Sequence, residues 1–306
     1  MDNNIIETMI ILFVLVIVGF IANKLGYTDN KFDKSLSRIV FDITCPALIL
    51  SSVMGDALPN RNLILPLLGV GFATYLLLTP LCYVYGRIVG KNRDEKGILA
   101  FMGMFGNVGF IGYPIVTALF GAHAVFYAAI LNFPNTLFVF TIGVIMVAGK
   151  NGNNLFNWKI LFSPGLVCSY IAILIVAMGW NGIPLVISKP VSLIGNITVP
   201  GAMIVVGSQM AQIPAKKILG NFRVYSAVAM RLLIVPILFW TLFHFVGVDP
   251  LINNVNTAVI AMPVASLATI MCLKYDKDMT TVSSATFWSC AFSIITIPVL
   301  SVLLFS

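Results

Sequence analysis

Charge is what this chain has least of. Only 9% of its 306 residues are Asp, Glu, Lys or Arg, 59% are hydrophobic, and the mean hydropathy is +1.00. A soluble domain carries charge on about a quarter of its residues, so this balance excludes one and defines an integral membrane protein. Histidine is nearly absent. His123 and His244 lie far apart near the ends of apolar runs, which leaves no ligand cluster and no expected metal. The five cysteines, Cys45, Cys82, Cys168, Cys272 and Cys290, all fall inside apolar segments. An odd, scattered set excludes a disulfide framework and reads as buried thiols. There is no His-Glu-x-x-His, no Gly-x-Ser-x-Gly and no P-loop lysine motif, so neither an enzyme nor ATP hydrolysis is expected, and no cofactor is called for. The net charge of +7 does not call for nucleic acid. The basic residues sit in short loops between apolar runs, where they set topology.

What the chain has is apolar length. Hydropathy predicts ten membrane spans, near 5–25, 36–55, 63–88, 97–120, 123–148, 163–181, 188–211, 223–246, 254–273 and 281–304. The first run is too long for a signal peptide and lacks a basic region before it or a small-residue cleavage site after it, so it reads as a retained span. The longest polar connection runs from Gly149 to Ser163. Alternate loops divide the basic residues fifteen to two. One set holds Lys24, Lys31, Lys34, Arg38, Arg87, Lys91, Arg93, Lys96, Lys150, Lys159, Lys216, Lys217, Arg223, Lys274 and Lys277; the other holds Arg61 and Lys189. That asymmetry predicts a multi-pass protein of the cell membrane with both termini on the non-cytoplasmic side. Trp158, Trp180 and Tyr27 fit interfacial anchoring.

The halves repeat. Asp42-Ile43-Thr44-Cys45-Pro46 in the second span matches Asn196-Ile197-Thr198-Val199-Pro200 in the seventh, Pro80 pairs with Pro236, and Pro114 of the fourth span pairs with Pro263 of the ninth. Residues 1–150 and 151–306 thus hold five spans each. An odd number per repeat inverts the second relative to the first. Inverted repeats with interrupted helices at matching positions are the sequence signature of secondary transporters. The fourth span reads Gly106-Asn107-Val108-Gly109-Phe110-Ile111-Gly112-Tyr113-Pro114-Ile115-Val116. Glycines and a proline at that depth predict a discontinuous helix, which survives in a bilayer only where protein or water covers it. The alternative is a kink that helps helices pack.

Proline is tolerated at a helix start, so Pro114 and Pro263 are expected to open half-helices whose N-termini carry partial positive charge and free donors. Such ends suit a small organic anion. Asn107, Asn132 and Asn135 are candidates to line the site, with Thr136, Ser266 and Thr269 at similar depth. Each asparagine also reads as interhelical glue. Leu131-Asn132-Phe133-Pro134-Asn135 is a second interrupted patch, in the fifth span. Asp42 and Arg231 are the ionisable residues that need an account, and both are candidates for ion or proton coupling. Asp42 is a proton or sodium coupling candidate or a structural partner of a cation. Arg231, roughly 12 Å deeper than Arg223 by helical rise, snorkels to the cytoplasmic face, pairs with Asp42, or attracts the anion.

The fourth-span motif, followed by Leu119-Phe120-Gly121, resembles the signature of the auxin efflux carrier family, which includes plant auxin carriers and bacterial malate and malonate carriers. Gly19-Phe20, Leu25-Gly26, Ser37, Pro46-Ala47-Leu48, the Asn-containing fifth span and the ninth-span proline are similar too, so the resemblance covers essentially the whole chain. It implies an all-α fold of ten transmembrane helices in two inverted five-helix repeats, with crossed, broken helices four and nine, as in bile acid symporter-like and sodium/proton antiporter-like folds. It implies that Gly109, Gly112, Pro114, Ile115, Met262, Pro263 and Val264 bind substrate at the crossing. It also implies that the first, second, sixth and seventh helices form a scaffold that makes a homodimer. The short central link favours a bacterial-type carboxylate carrier over an auxin exporter. A ligand sensor of the same fold and a cation antiporter are the rivals.

Overall fold

The computed structural model describes residues 2–55, 58–149, 161–180, 182–213, 220–275, 277 and 280–305. Most of the Gly149–Ser163 connection, with Lys150, Trp158 and Lys159, and the pair Lys216 and Lys217 lie outside the described residues. Among the described residues, all regular structure is helical. Among the described residues, five helical stretches are long and apolar enough to cross a membrane, at 61–89, 124–148, 185–211, 222–246 and 280–304, and shorter apolar helices occupy Ile10–Lys24, Val108–Phe120 and Pro164–Met178. The chain is a multi-pass membrane protein.

Helix starts are set by local chemistry. Asp29 accepts from the Phe32 amide at 2.7 Å and starts α2 (Asn30–Ile39) after α1 (Asp2–Lys24). Asn92 accepts from Glu95 at 2.8 Å and starts α5 (Arg93–Met104), whose first-turn Asp94 and Glu95 suit the positive end of the helix. Asp249 starts the helix at Pro250 in the same way.

Several spans contain a single wide turn, and proline explains three of these. The π-turn π1 (Val40–Thr44) joins α2 to α3 (Cys45–Ser51), π2 (Val108–Gly112) leads into α6 (Tyr113–Phe120), and π4 (Met230–Ile234) joins α12 (Phe222–Ala229) to α13 (Val235–Val246). In each case proline is the second residue after the turn: Pro46, Pro114 and Pro236. Proline lacks an N–H and its ring clashes with the carbonyl four residues back. Widening the preceding turn moves that carbonyl away, so the segment bends without stopping. Pro80, by contrast, sits inside an unbroken α4 (Ile64–Val89), so it shares no local geometry with Pro236. The repeated pentapeptide lies at a joint in both places, at π1 and at Ile197 between α10 (Leu185–Asn196) and α11 (Thr198–Ala211).

The chain forms two compact units, each drawing on both halves of the sequence: residues 1–67, 109–130 and 158–212, and residues 68–108, 131–157 and 213–306. In the first, α1 packs backbone-to-backbone on α11. A Cβ on Gly207 would lie 2.8 Å from the Phe20 nitrogen, and one on Gly19 2.7 Å from the Ile204 Cα, which is how small residues let helices associate in lipid. The end of this pair next to α2 carries a buried polar cluster. Ser208 Oγ donates to Asp33 Oδ2 at 2.9 Å, Gln212 Nε2 donates to the same oxygen at 2.6 Å, and Thr28 Oγ1 lies 2.8 Å from Ser208 Oγ. Asp33 is 3% exposed, and its Oδ1 has no hydrogen-bond partner.

The second unit holds a large apolar core in which Tyr75 stacks on Phe105, with Phe101, Val139, Phe239 and Val264 around them. Ion pairs lie at its polar edge, Arg223 with Glu95 at 3.1 Å and Lys277 with Asp94 at 2.6 Å. None of the five cysteines is in a disulfide, and all but the half-buried Cys168 are buried.

Candidate functional site

Both segments expected to break do break, and their interruptions belong to the second unit. The fourth span stops at Met104, runs extended through Phe105, Gly106 and Asn107, and resumes at Val108. The ninth stops at the end of α14 (Pro250–Ile260), passes through Met262, Pro263 and Val264, and resumes as α15 (Leu267–Lys274). The two interruptions pair as a short antiparallel β-bridge between Gly106 and Val264. The Asn107 amide donates to Pro263 O at 2.8 Å, and the Ala265 amide donates to Phe105 O at 3.2 Å. The bridge answers the problem set by a broken helix in hydrocarbon: each chain satisfies main-chain groups the other has freed.

The positions differ from the sequence expectation in three respects. Pro114 does not open the break. It is the second residue of α6, downstream of π2, and the interruption lies at Phe105–Asn107. Pro263 does not begin a helix either: it lies inside the break, and α15 begins at Leu267. In the fifth span the helix α7 (Ala124–Phe138) runs through Pro134, and the irregular turn is π3 (Val139–Gly143), before α8 (Val144–Ala148). A proline early in a helix costs little, and a glycine-asparagine pair leaves helical geometry more readily than a proline preceded by a wide turn.

Arg231 is the residue whose role sequence reasoning missed. It neither reaches the surface nor bonds a carboxylate. It is 0% exposed. Its Nε donates to Met262 O at 2.9 Å, and its Nη1 donates to Met104 O at 2.9 Å and, more weakly, to Gly103 O at 3.5 Å. Gly103 and Met104 end α5, where carbonyls lack helical partners and carry partial negative charge. The guanidinium therefore closes the end of one broken helix and ties it to the other break. Gly106 makes room for it: a Cβ there would overlap Arg231 Nη2 and lie 2.9 Å from Met262 O. The sequence signal was available in the glycine that precedes Asn107, but nothing local to that motif pointed to position 231.

Side chains complete the junction. Asn107 Nδ2 donates to Ser266 Oγ at 3.2 Å, just before the first turn of α15. Ser289, on α16 (Thr280–Leu304), accepts from the Val264 amide at 3.0 Å. Asn135 Nδ2 donates to Asn132 Oδ1 at 2.8 Å, so these two predicted residues form a pair on α7. Met262 and Val264 are fully buried and contribute main-chain groups rather than exposed side chains.

The remaining predicted residues fall in the first unit. Gly109 admits Phe41, whose Cε1 would lie 2.7 Å from a Cβ at that position, and Phe41 meets Phe110 edge-on at 4.2 Å. Gly112 ends π2, and Pro114 and Ile115 are buried in α6. Asp42 is on π1 with its side chain exposed.

Broken, mutually bridged membrane crossings with a buried cation at the junction define a polytopic membrane protein of the transporter class. Residues 4–301 match the family described as membrane transport protein, and the chain belongs to that family, which is the auxin efflux carrier family its motifs resemble. It is 27% identical over 299 residues to an uncharacterized transporter of Methanocaldococcus jannaschii, covering 95% of this chain and 96% of the relative. It is 25% identical over 301 residues to an uncharacterized transporter of Methanothermobacter thermautotrophicus, covering 97% of this chain and 98% of that one.

Proposed function

We propose that the chain is a secondary transporter of a small organic anion, a carboxylate such as malate, malonate or an auxin-like acid, moved by alternating access. The observation that carries this is Arg231: a permanent positive charge, wholly buried and bonded to main-chain carbonyls instead of a carboxylate. At an effective dielectric of about 20, a carboxylate about 6 Å from that charge gains about 3 kcal/mol. The start of α15 adds partial positive charge, and the Asn107 and Ser266 side chains supply donors and acceptors beside it.

The wider reading goes with it. The chain crosses the cell membrane ten times in two inverted repeats, 1–150 and 151–306, with its termini on the non-cytoplasmic side. It works as a homodimer, with spans 1, 2, 6 and 7 as scaffold. All four of those spans fall in the first compact unit, which supports that assignment. The predicted lining comprises Asn107, Gly109, Gly112, Pro114, Ile115, Asn132, Asn135, Met262, Pro263 and Val264.

Uptake of labelled malate, malonate and indole acetate into proteoliposomes tests the reading. Saturable uptake of at least one, lowered about tenfold by Asn107→Ala with folding intact, is expected; no flux for any carboxylate overturns it. Ligand-induced thermal stabilisation without flux would identify a sensor. Transport whose pH dependence disappears in Asp42→Asn would identify a cation antiporter.

A further inference from the structure

Carbonyl groups at the ends of interrupted helices are the usual seat of a coupling cation in transporters built on broken helices. Such a seat exists here. The carbonyls of Gly103 and Met104, at the end of α5, and that of Met262, in the break after α14, face one guanidinium, the first two at its Nη1 and the last at its Nε. In this chain the seat is filled by the chain itself. We infer that the Arg231 guanidinium is the resident cation of this carbonyl cage, that Gly106 lacks a side chain so that it fits, and that the protein binds no alkali cation at the crossing. In its consequence for coupling this rests on the carrier reading above; the cage itself does not, so its test is made without any organic anion.

Two independent features support the inference. The three bonds run from Nε and Nη1 to carbonyls on two different chain breaks, with Nη2 left unbonded, a directional fork that a planar guanidinium presents and a point charge does not. The backbone at Gly106 passes so close that any Cβ would overlap Nη2, which ties a glycine in one broken helix to an arginine on another helix 125 positions away in sequence. The arginine also has a structural duty that an exchangeable ion lacks: it is present in every conformation, so the charge at the crossing is constant.

The experiment is a set of thermal unfolding curves on the purified full chain in detergent, at equal ionic strength in sodium, potassium and choline chloride. The wild type is expected to melt at the same temperature in all three. Arg231→Ala is expected to melt several degrees lower and to be restored at least halfway by low-millimolar methylguanidinium, which leaves the wild type unchanged. If Arg231→Ala fails to fold, Arg231→Lys, which keeps the charge but not the fork, replaces it and is expected to melt lower than wild type and to be unaffected by sodium. Saturable stabilisation of the wild type by sodium alone would overturn the inference. So would an Arg231→Ala protein as stable as wild type or unresponsive to methylguanidinium, or an Arg231→Lys protein with undiminished stability. Absence of carboxylate flux leaves these melting results untouched, so failure of the carrier reading and failure of the cage are told apart.

Discussion

Replacing Gly106 by alanine puts a methyl group where the Arg231 guanidinium lies. The added carbon would overlap Nη2, come within 2.9 Å of Cζ and stand 2.9 Å from Met262 O. The arginine side chain has to move, and the main-chain oxygen of Met262 blocks the other way out. Moving the guanidinium forfeits the bonds to Met262 O and Met104 O, both 2.9 Å long. A hydrogen bond to a charged group contributes about 1.5–3 kcal/mol, so the loss is about 3–6 kcal/mol, a large share of a typical folding free energy of about 5–15 kcal/mol. At about 2 °C per kcal/mol the melting temperature falls by at least about 6 °C. Gly103→Ala is the control on the same strand of chain. Its Cβ would meet Cys82 Sγ at 3.4 Å and Met230 Cγ at 3.5 Å, both ordinary contacts. Alanine is favoured over glycine inside a helix by about 1 kcal/mol, so Gly103→Ala is expected to melt at or above wild type. Scanning fluorimetry of the two variants in one detergent measures the difference. Equal melting temperatures would refute the account of why Gly106 is a glycine.

Ser289→Ala leaves the buried Val264 amide without its acceptor, at a cost of about 1–3 kcal/mol, and lowers the melting temperature; Ser293→Ala, whose hydroxyl donates only to Cys290 O in its own helix, leaves it unchanged. Gly207→Ala separates α1 from α11 and destabilises, whereas Gly69→Ala, with nothing within 4 Å, does not; reversal of that order would contradict the backbone packing described. Asp33 lies before the apolar run of its span, and burial raises its carboxyl above the ordinary 3.8, with hydrogen bonds from Ser208 and Gln212 opposing the rise and nearby Asp29 adding to it. A raised carboxyl favours the folded state when protonated, so that stability is full below about pH 3.8 and is lost as pH climbs through the folded pKa. Asp33→Asn is therefore expected to gain melting temperature over wild type at neutral pH and to converge with it in acid; a neutral-pH loss would contradict the sign.

The crossing was legible in part, and the reason is chemical. Gly106-Asn107 and Pro263 announce that helices cannot run unbroken there, because the groups that break them act within a few residues. Their mutual bridge was foreshadowed only by the family resemblance, since hydrogen bonds between Asn107 and Pro263 join positions far apart in the chain. The exact place of each break was misread for the same local reason. Pro114 looks like a helix breaker, yet a wide turn before it absorbs the clash, and that choice depends on packing rather than on proline itself. Arg231 was hardest to read. A lone arginine in an apolar run is equally consistent with snorkelling, pairing or capping, and only the carbonyls of Met104 and Met262 decide among them. Asp33 was hidden by its surroundings: it sits among Lys31, Lys34 and Arg38 in sequence, which reads as a solvated loop, while its side chain is buried against Ser208.

If the transported anion sits at the junction of the two interruptions, Asn107 and Ser266 are the side chains that meet it. Carboxylate uptake by proteoliposomes of wild type, Asn107→Ala, Ser266→Ala and the double variant, each checked for equal melting temperature, forms a double-mutant cycle. Each single change is expected to lower uptake efficiency by about tenfold, equivalent to about 1.4 kcal/mol, and the double change to lower it little further, because the two side chains act as one hydrogen-bonded unit. Uptake unaffected by either change, in protein that is folded and transporting, would contradict that placement of the anion.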